Sequence, residues 1–429
     1  MRKASSIVAV HARQIMSLRG HPGIEATVET ANGGRGVAIV TAGISVGKYE
    51  VRFATGGEDL YGPAGVQMAV DNVNNVIAPA IMGMDATGQA AVDSVIIELD
   101  GTADKSRLGG NATASVSAAV LKAGAASAEL PLYQHIGGVR ALTLPVPGVP
   151  AYSGSRRYGT GAKSGAKPSV SFICFGFDSF SAAVAGGWKV SGEFRKLMFD
   201  RLGVDMRPAQ WNLVSPGVVS DDRQLWAVMK EAIAAADLTG RVGIQMDVAS
   251  ATFYDAASQR YLGLFSEGAK TREEMIDYYR QVVAEYPFVI IEDPLDEDDY
   301  EGHAILAHDL GIEIVGDDLF TTNPARVRQG IAVGAANAVL LKVNQIGSIS
   351  ESFEMVSLAY ANGYGVMPCD SRGEGVDICD YTVGLGCGHL REGGIGTHAN
   401  RFMEIEAELG GKAQFAGKAG LKVTRWPQA

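Results

Sequence analysis

Two equal intervals in the middle of the chain constrain its fold more than any other feature. The apolar runs in YPFVIIE, IEIVGD and ANAVLLK are each about one strand long and end in Glu292, Asp317 and Lys342. Glu292 and Asp317 are 25 positions apart, and so are Asp317 and Lys342. That length holds one strand, one helix and two short loops, the repeating unit of a parallel sheet or barrel. RVGIQMDV ends in the same way at Asp247, 45 residues before Glu292, and GYGVMPCD at Asp370, 28 residues after Lys342. Charged groups at the C-terminal ends of successive parallel strands converge on one face. In a (β/α)8 barrel that is the catalytic face. The fold class is α/β.

The chain's 429 residues leave room for a barrel of about 250 residues and a second unit. Residues 1–60 alternate β-branched and polar positions around Asn32-Gly33-Gly34, a hairpin signal. Residues 62–137 change to Ala-rich helical spacing. The stretch LPVPGVP (144–150) resists helix and marks a boundary. The expected organisation is an N-terminal α+β capping domain over 1–140 and a (β/α)8 barrel over 141–429. The final KVTRWPQA reads as a surface tail.

Charge and cysteine usage exclude several classes. With 37 Lys+Arg against 48 Asp+Glu the net charge is −11, the wrong sign for a nucleic-acid binder. Cys174, Cys369, Cys379 and Cys387 have no CxxC spacing, so they read as reduced, buried thiols rather than a zinc site or disulfide framework. The N-terminal apolar run is too short for a secretory signal, and no stretch approaches a membrane span. A cytoplasmic protein is expected.

Asp247, Glu292 and Asp317 at neighbouring strand ends would repel one another without positive charge between them. A hard divalent ion with oxygen ligands, Mg²⁺ above all, is the economical counter-charge. Lys342, at the end of the next unit, reads as a base. The acidic cluster raises its pKa, whereas desolvation and a metal's charge work toward a partly neutral amine. A metal-bound carboxylate and a lysine base suit proton abstraction next to a substrate carboxylate, an arrangement typical of enolase-superfamily sites. GISVGKYE, around Ser45, is by itself an ordinary Gly-rich connector. AYSGSRRYGTGAKSGAKPS is either a solvated loop or a lid carrying Arg156, Arg157, Lys163 and Lys167 toward an anion.

The chain resembles the enolase family (phosphopyruvate hydratases) over nearly its full length. The stretches that carry the likeness are SLRGHPGIEATV, GISVGKYE, LDGTADKSRLGGNA, LPLYQHIGG, LPVP, MDVASATFY, IIEDPLDEDDYEG, VGDDLFTTNP, LLKVNQIGSISES and NGYGVM. The resemblance implies an enolase-type barrel with its capping domain and a carbon–oxygen lyase. Asp247, Glu292 and Asp317 would hold one tightly bound Mg²⁺, with Lys342 as base. Ser45, in the closing loop, would meet a second Mg²⁺ that arrives with substrate. Enolases also place the segment around Arg19 at a dimer interface, which implies a homodimer or higher homo-oligomer.

The departures fall on the other half of the site. The family stretch GDEGGFAP, whose Glu helps expel the substrate hydroxyl, reads NLVSPGVVS here, with Pro216 nearest that Glu. The Gln-Glu pair before Phe172 reads Val170-Ser171, and the lid His has no clear equivalent. The family's Ser-His-Arg-Ser-Gly-Glu becomes Cys369-Asp370-Ser371-Arg372-Gly373-Glu374. Asp370 thus replaces a His, and the phosphate-holding Arg-Ser pair is reversed. The family Lys that neutralises the substrate carboxylate is matched by Arg391, a planar fork that demands a different pose.

These residues lead to an expectation of a Mg²⁺-dependent lyase removing the proton next to a carboxylate of a small phosphorylated or phosphonylated acid. Lys342 and Asp370 are the expected catalytic groups; Ser45, Ser371, Arg372, Arg391 and Lys167 the substrate-binding ones. Three alternatives stand beside it. They are a carboxyphosphonoenolpyruvate-synthase-like enzyme of phosphonate metabolism, a racemase or epimerase, and a non-catalytic scaffold. Retention of three acids and the lysine weighs against the scaffold, because unpaired buried charges cost several kcal/mol each.

Overall fold

A computed structural model describes residues 3–43, 46–57, 60–154, 156–159, 167–208 and 211–427. The chain opens with an antiparallel meander of Ile7–Met16, Pro22–Thr30 and Arg35–Thr41. Ile24, Ala26 and Val28 point to one face and are fully buried, as the period of two requires. Gly33 supplies the left-handed residue of the expected hairpin turn, at φ +88°. Helix Gly110–Ser127 lies directly on this sheet. A Cβ at Gly36 would fall 2.0 Å from the Ala119 carbonyl oxygen, so the Ala, Ser and Gly content of this helix sets the packing distance. The helix's other side meets the barrel, where Ile349 N–H donates to Ser117 Oγ at 2.9 Å.

The barrel strands are Val146–Ser153, Ser169–Cys174, Val242–Asp247, Phe288–Glu292, Glu313–Gly316, Ala338–Leu341, Gly365–Pro368 and His389–Leu390. The first seven pair side by side in that order, and the last pairs with the first. The α/β barrel with its α+β cap is therefore the architecture expected. One strand differs from an all-parallel barrel: Ser169–Cys174 runs antiparallel to both neighbours. The preceding segment is rich in Gly, Ser and Lys and lacks a helical pattern. A parallel return needs a crossover, usually a helix. Parallel order resumes after two successive helices, Phe180–Leu202 and Arg223–Ala235.

Within the described residues the C-terminal segment is docked on the barrel rather than free, contrary to expectation, although Lys422, Thr424 and Arg425 stay exposed. Trp426 packs on Phe175 with ring centroids 4.5 Å apart, and the Thr424 and Arg425 N–H groups both donate to the Gly311 carbonyl at 2.9 Å. It covers the N-terminal end of the barrel because the indole gains apolar contact there. Among the described residues, all four cysteines are free and buried, and no helix is long and apolar enough to cross a membrane.

Candidate active site

Strand register brings the acidic ends together. Glu292 sits directly beside Asp247 on one neighbouring strand and beside Val315 on the other, two residues before Asp317. Carboxylate oxygens of Glu292, Asp293 and Asp317 lie within 4.8 Å of one another. Asp293, which the sequence reading passed over, is the scaffold of this cluster. It adopts φ +44°, and its two oxygens accept from the N–H groups of Asp317 (3.0 Å) and Asp318 (2.8 Å). Asp tolerates the left-handed region better than most residues, and here that geometry fixes the start of the Asp317 turn. The only prior signal was its place after Glu292 in IIEDP.

Lys342 Nζ lies 2.5 Å from Asp317 Oδ2, and Gln345 Nε2 donates to Asp317 Oδ1 at 2.7 Å. Burial lowers the Lys342 pKa, but the Asp317 carboxylate more than reverses this and holds it above the ordinary lysine value. A metal's charge, which the expected partial neutrality requires, would act against this ion pair. Asp247 differs again. Its Oδ2 is shared by Lys167 Nζ and an Arg391 Nη, while its buried Oδ1 has no hydrogen-bond partner among the described residues. Burial opposes ionisation of Asp247, and Lys167 and Arg391 overcome it, bringing its pKa to about 2. Burial and then the Asp247 charge push Glu292 up to about 8. Burial and the Asp317 charge likewise raise both Asp293 and Asp318 well above the carboxylate range.

The donor set therefore suits a hard divalent cation. All its groups are carboxylates, one buried oxygen is unpartnered, and burial with the Asp247 charge keeps Glu292 hard to ionise even with Arg391 beside it. Of the expected ligands, Glu292 and Asp317 lie in this cluster together with Asp293, whereas Asp247 stands beside Glu292 and is engaged by Lys167 and Arg391.

Arg391 is buried within this cluster. Besides Asp247, its guanidinium reaches Glu292 Oε2 at 3.3 Å, Glu392 Oε1 at 3.2 Å and Cys369 Sγ at 3.4 Å, with the Trp211 ring 5.7 Å away. Trp211 and Glu392 were not foreseen: Trp211 lies in no stretch that suggested chemistry, and Glu392, though next to Arg391, was given no role. Arg372 is also buried and forms a bidentate pair with Glu50, with both N–O distances at 2.6 Å. Its neighbour Ser371 is tied through its carbonyl, which accepts from Arg19 at 2.6 Å.

Two enolase family models match the chain. Enolase, N-terminal domain covers residues 7–136, and Enolase, C-terminal TIM barrel domain covers residues 165–424. Proteins named Enolase are similar to it over nearly their whole length. That of Methanopyrus kandleri is 41% identical, covering 95% of this chain and 97% of the relative. Those of Methanocaldococcus jannaschii and Bifidobacterium longum are each 38% identical; coverage is 97% and 99% for the first, and 98% and 98% for the second. The chain belongs to the enolase family.

Against that family's pattern, the remaining groups are distributed as follows. Asp370 accepts from Gly375 N–H at 3.0 Å through Oδ1 and faces His398 Nε2 at 2.9 Å through Oδ2. Pro216 is exposed. Arg157 does not reach toward an anion as the lid reading expected. It is buried in a bidentate pair with Asp222, which also accepts from Tyr158 Oη at 2.6 Å. The carboxylate compensates its burial, so this end of the segment is anchored. Ser45 and Lys163 lie outside the described residues. The segment after Ser45 is seated on the barrel mouth: Lys48 N–H donates to Glu297 Oε2 at 3.0 Å, and a Cβ on Gly47 would lie 3.0 Å from Asp318 Oδ1.

Proposed function

We propose that this enolase-family enzyme is a Mg²⁺-dependent carbon–oxygen lyase. It would remove the proton next to the carboxylate of a small phosphorylated acid and expel the β-hydroxyl, as in the 2-phosphoglycerate–phosphoenolpyruvate interconversion. The observation that carries this is the buried Lys342 beside Asp317, facing the Glu292 cluster at the barrel mouth. Asp247, Glu292 and Asp317 would hold one Mg²⁺, and Ser45 would meet a second with substrate. A bound divalent ion supplies stabilisation of negative charge developing on the substrate carboxylate.

Every other part of the proposal belongs to the chain. Lys342 takes the α-proton on Nζ. It can do so once its pairing with Asp317 loosens, because burial then favours the neutral amine. Arg372 and Ser371 would grip the phosphate, and Arg391 with Lys167 the carboxylate. Asp370, or a water it holds, would protonate the departing hydroxyl so that it leaves as water, while its oxygens also engage Gly375 N–H and His398. The segment 46–57 excludes water from above. The 1–140 and 141–429 units act together as cap and barrel in a cytoplasmic homodimer.

A phosphonylated substrate is the second reading. It is favoured by the stretch Asn212–Ser220, NLVSPGVVS, which contains no carboxylic acid, His or Lys where the family has its acid. Incubation with 2-phosphoglycerate and Mg²⁺ in deuterium oxide tests the reading. Deuterium should enter C2, and Lys342→Ala should abolish entry, a loss on the order of 10³-fold or more. Exchange into a phosphonylated acid alone would select the second reading. No exchange into either would remove both.

A further inference from the structure

The enolase pattern places a His at the end of the seventh barrel strand, where this chain has Asp370. An imidazole nevertheless stands there. His398, in the first turn of helix Gly396–Leu409, points Nε2 at Asp370 Oδ2 across 2.9 Å, although 28 residues separate them. Both side chains are largely shielded, at 12% and 20% exposure. Asp370 Oδ1 simultaneously accepts from Gly375 N–H at 3.0 Å, which closes the 370–375 segment on itself.

That segment has its other contacts on the capping domain. Thr41 N–H donates to the Arg372 carbonyl at 2.7 Å, Arg19 to the Ser371 carbonyl at 2.6 Å, and the Arg372 guanidinium to Glu50. At Gly373, φ +104°, a Cβ would fall 2.9 Å from Ile39 Cγ2, so no side chain fits between segment and cap. The segment bearing Ser371 and Arg372 is therefore pinned by the cap on one side. His398 pins it on the other through Asp370.

We propose that His398 is a positioning residue that sets the Ser371–Arg372 segment from the barrel side, so that substrate phosphate affinity depends on the charge of its imidazole. The charged groups facing the imidazole are Asp370 and Glu392, with a further hydrogen bond to the Gly375 backbone. Glu374 stands beyond Asp370, accepting from Arg372 N–H at 3.1 Å, and burial with the Asp370 charge pushes it up to about 7. Burial lowers the His398 pKa, but Asp370 outweighs it and holds the imidazole above its ordinary value. A protonated ring donates from both nitrogens and can serve Asp370 and the Gly375 backbone together; a neutral ring has one donor. The clamp is thus complete below the ordinary imidazole pKa and is lost as pH rises through the raised value.

The effect on phosphate rests on the proposed role of Arg372, so the experiment has one arm without turnover. Nitrogen-15 NMR of the full-length protein, with the His398 signal assigned by its loss in His398→Gln, should give a pKa above ordinary histidine that falls in Asp370→Asn. An imidazole titrating at or below the ordinary value in wild type overturns the clamp, whatever the reaction proves to be. In the second arm, His398→Ala should raise KM for 2-phosphoglycerate roughly tenfold, the scale of a lost charge-assisted hydrogen bond, with kcat little changed. His398→Gln, which keeps a donor, should restore most of the affinity. A kcat collapse at constant KM, or unchanged kinetics in His398→Ala, overturns the positioning role. If His398→Ala fails to fold, the wild-type KM is decisive: it should rise with pH through the NMR-determined pKa, and a KM flat across that range overturns the proposal.

Discussion

Glu50 and Arg372 join the two units of the protein: 322 residues apart in sequence, they form a buried bidentate ion pair in which each group is only 2% exposed. Glu50 Oε1 also accepts from Gly47 N–H at 3.0 Å, so the carboxylate folds its own segment while fixing the arginine. Glu50→Ala removes the bidentate acceptor from a buried guanidinium. Loss of one partner of such a pair costs about 3 kcal/mol or more. Urea unfolding should show a fall of that order, and KM for a phosphorylated substrate should rise because Arg372 loses its orientation. A stability change below about 0.5 kcal/mol would place this pair among weak surface bridges.

The acidic cluster predicts how metal-free stability depends on pH. Burial and Asp247 raise Glu292 to about 8 in the fold. A raised carboxyl stabilises the fold fully below its unfolded pKa, and this contribution disappears as pH climbs through the folded value. Metal-free protein should therefore lose stability between about pH 5 and about pH 8 through Glu292. Added Mg²⁺ should raise Tm more at the alkaline end of that window than at the acid end. An equal Mg²⁺ shift at both ends would mean that Glu292 is not a ligand.

What could be read in the sequence divides along a physical line. Strand-end charges were legible because equal spacing places them on one face whatever their detailed contacts. The reversed second barrel strand was not, since apolar periodicity is the same in either direction and only the connection decides orientation. Asp293 was hidden because its work is done by backbone N–H groups of residues 317 and 318, which no side-chain pattern reveals. His398 was hidden by distance: helix Gly396–Leu409 presents it to a strand end far upstream. Arg391 was expected, from the family resemblance alone, to meet a substrate carboxylate; its pairing with Asp247 and Glu292 depends on strand register, which no local pattern reveals.

The C-terminal segment gives a prediction independent of the chemistry. Trp426 packs on Phe175 and lies near Lys418, whose Nζ is 4.9 Å from the indole centroid. Trp426→Ala should cost about 2 kcal/mol, below the range for a fully buried Trp because this one is partly exposed. The substitution lies at the end of the barrel opposite the candidate site, so KM and kcat should hold at temperatures where the variant is folded. Unchanged thermal stability would restore the surface-tail reading.

Arg391 separates two uses of one positive charge. In the structure its guanidinium neutralises Asp247 and Glu292, and Glu392 and Cys369 hold it in place. Arg391→Ala leaves those acids with Lys167 and Lys342 as the nearby cations, so repulsion between them grows and Glu292 becomes harder to ionise. Metal-free protein should then be less stable. Mg²⁺ should bind more tightly, by roughly tenfold, because it no longer competes with a fixed guanidinium for the same oxygens. If Arg391 also meets the substrate carboxylate, KM should rise at saturating Mg²⁺. Arg391→Lys should show an intermediate metal affinity, since one ammonium cannot reproduce the fork that reaches four partners. Calorimetric titration with Mg²⁺ and initial rates at saturating metal measure the two effects separately. Tighter metal binding with unchanged KM would make Arg391 a counter-ion of the acids only, and weaker metal binding would show that it helps to arrange them for the ion.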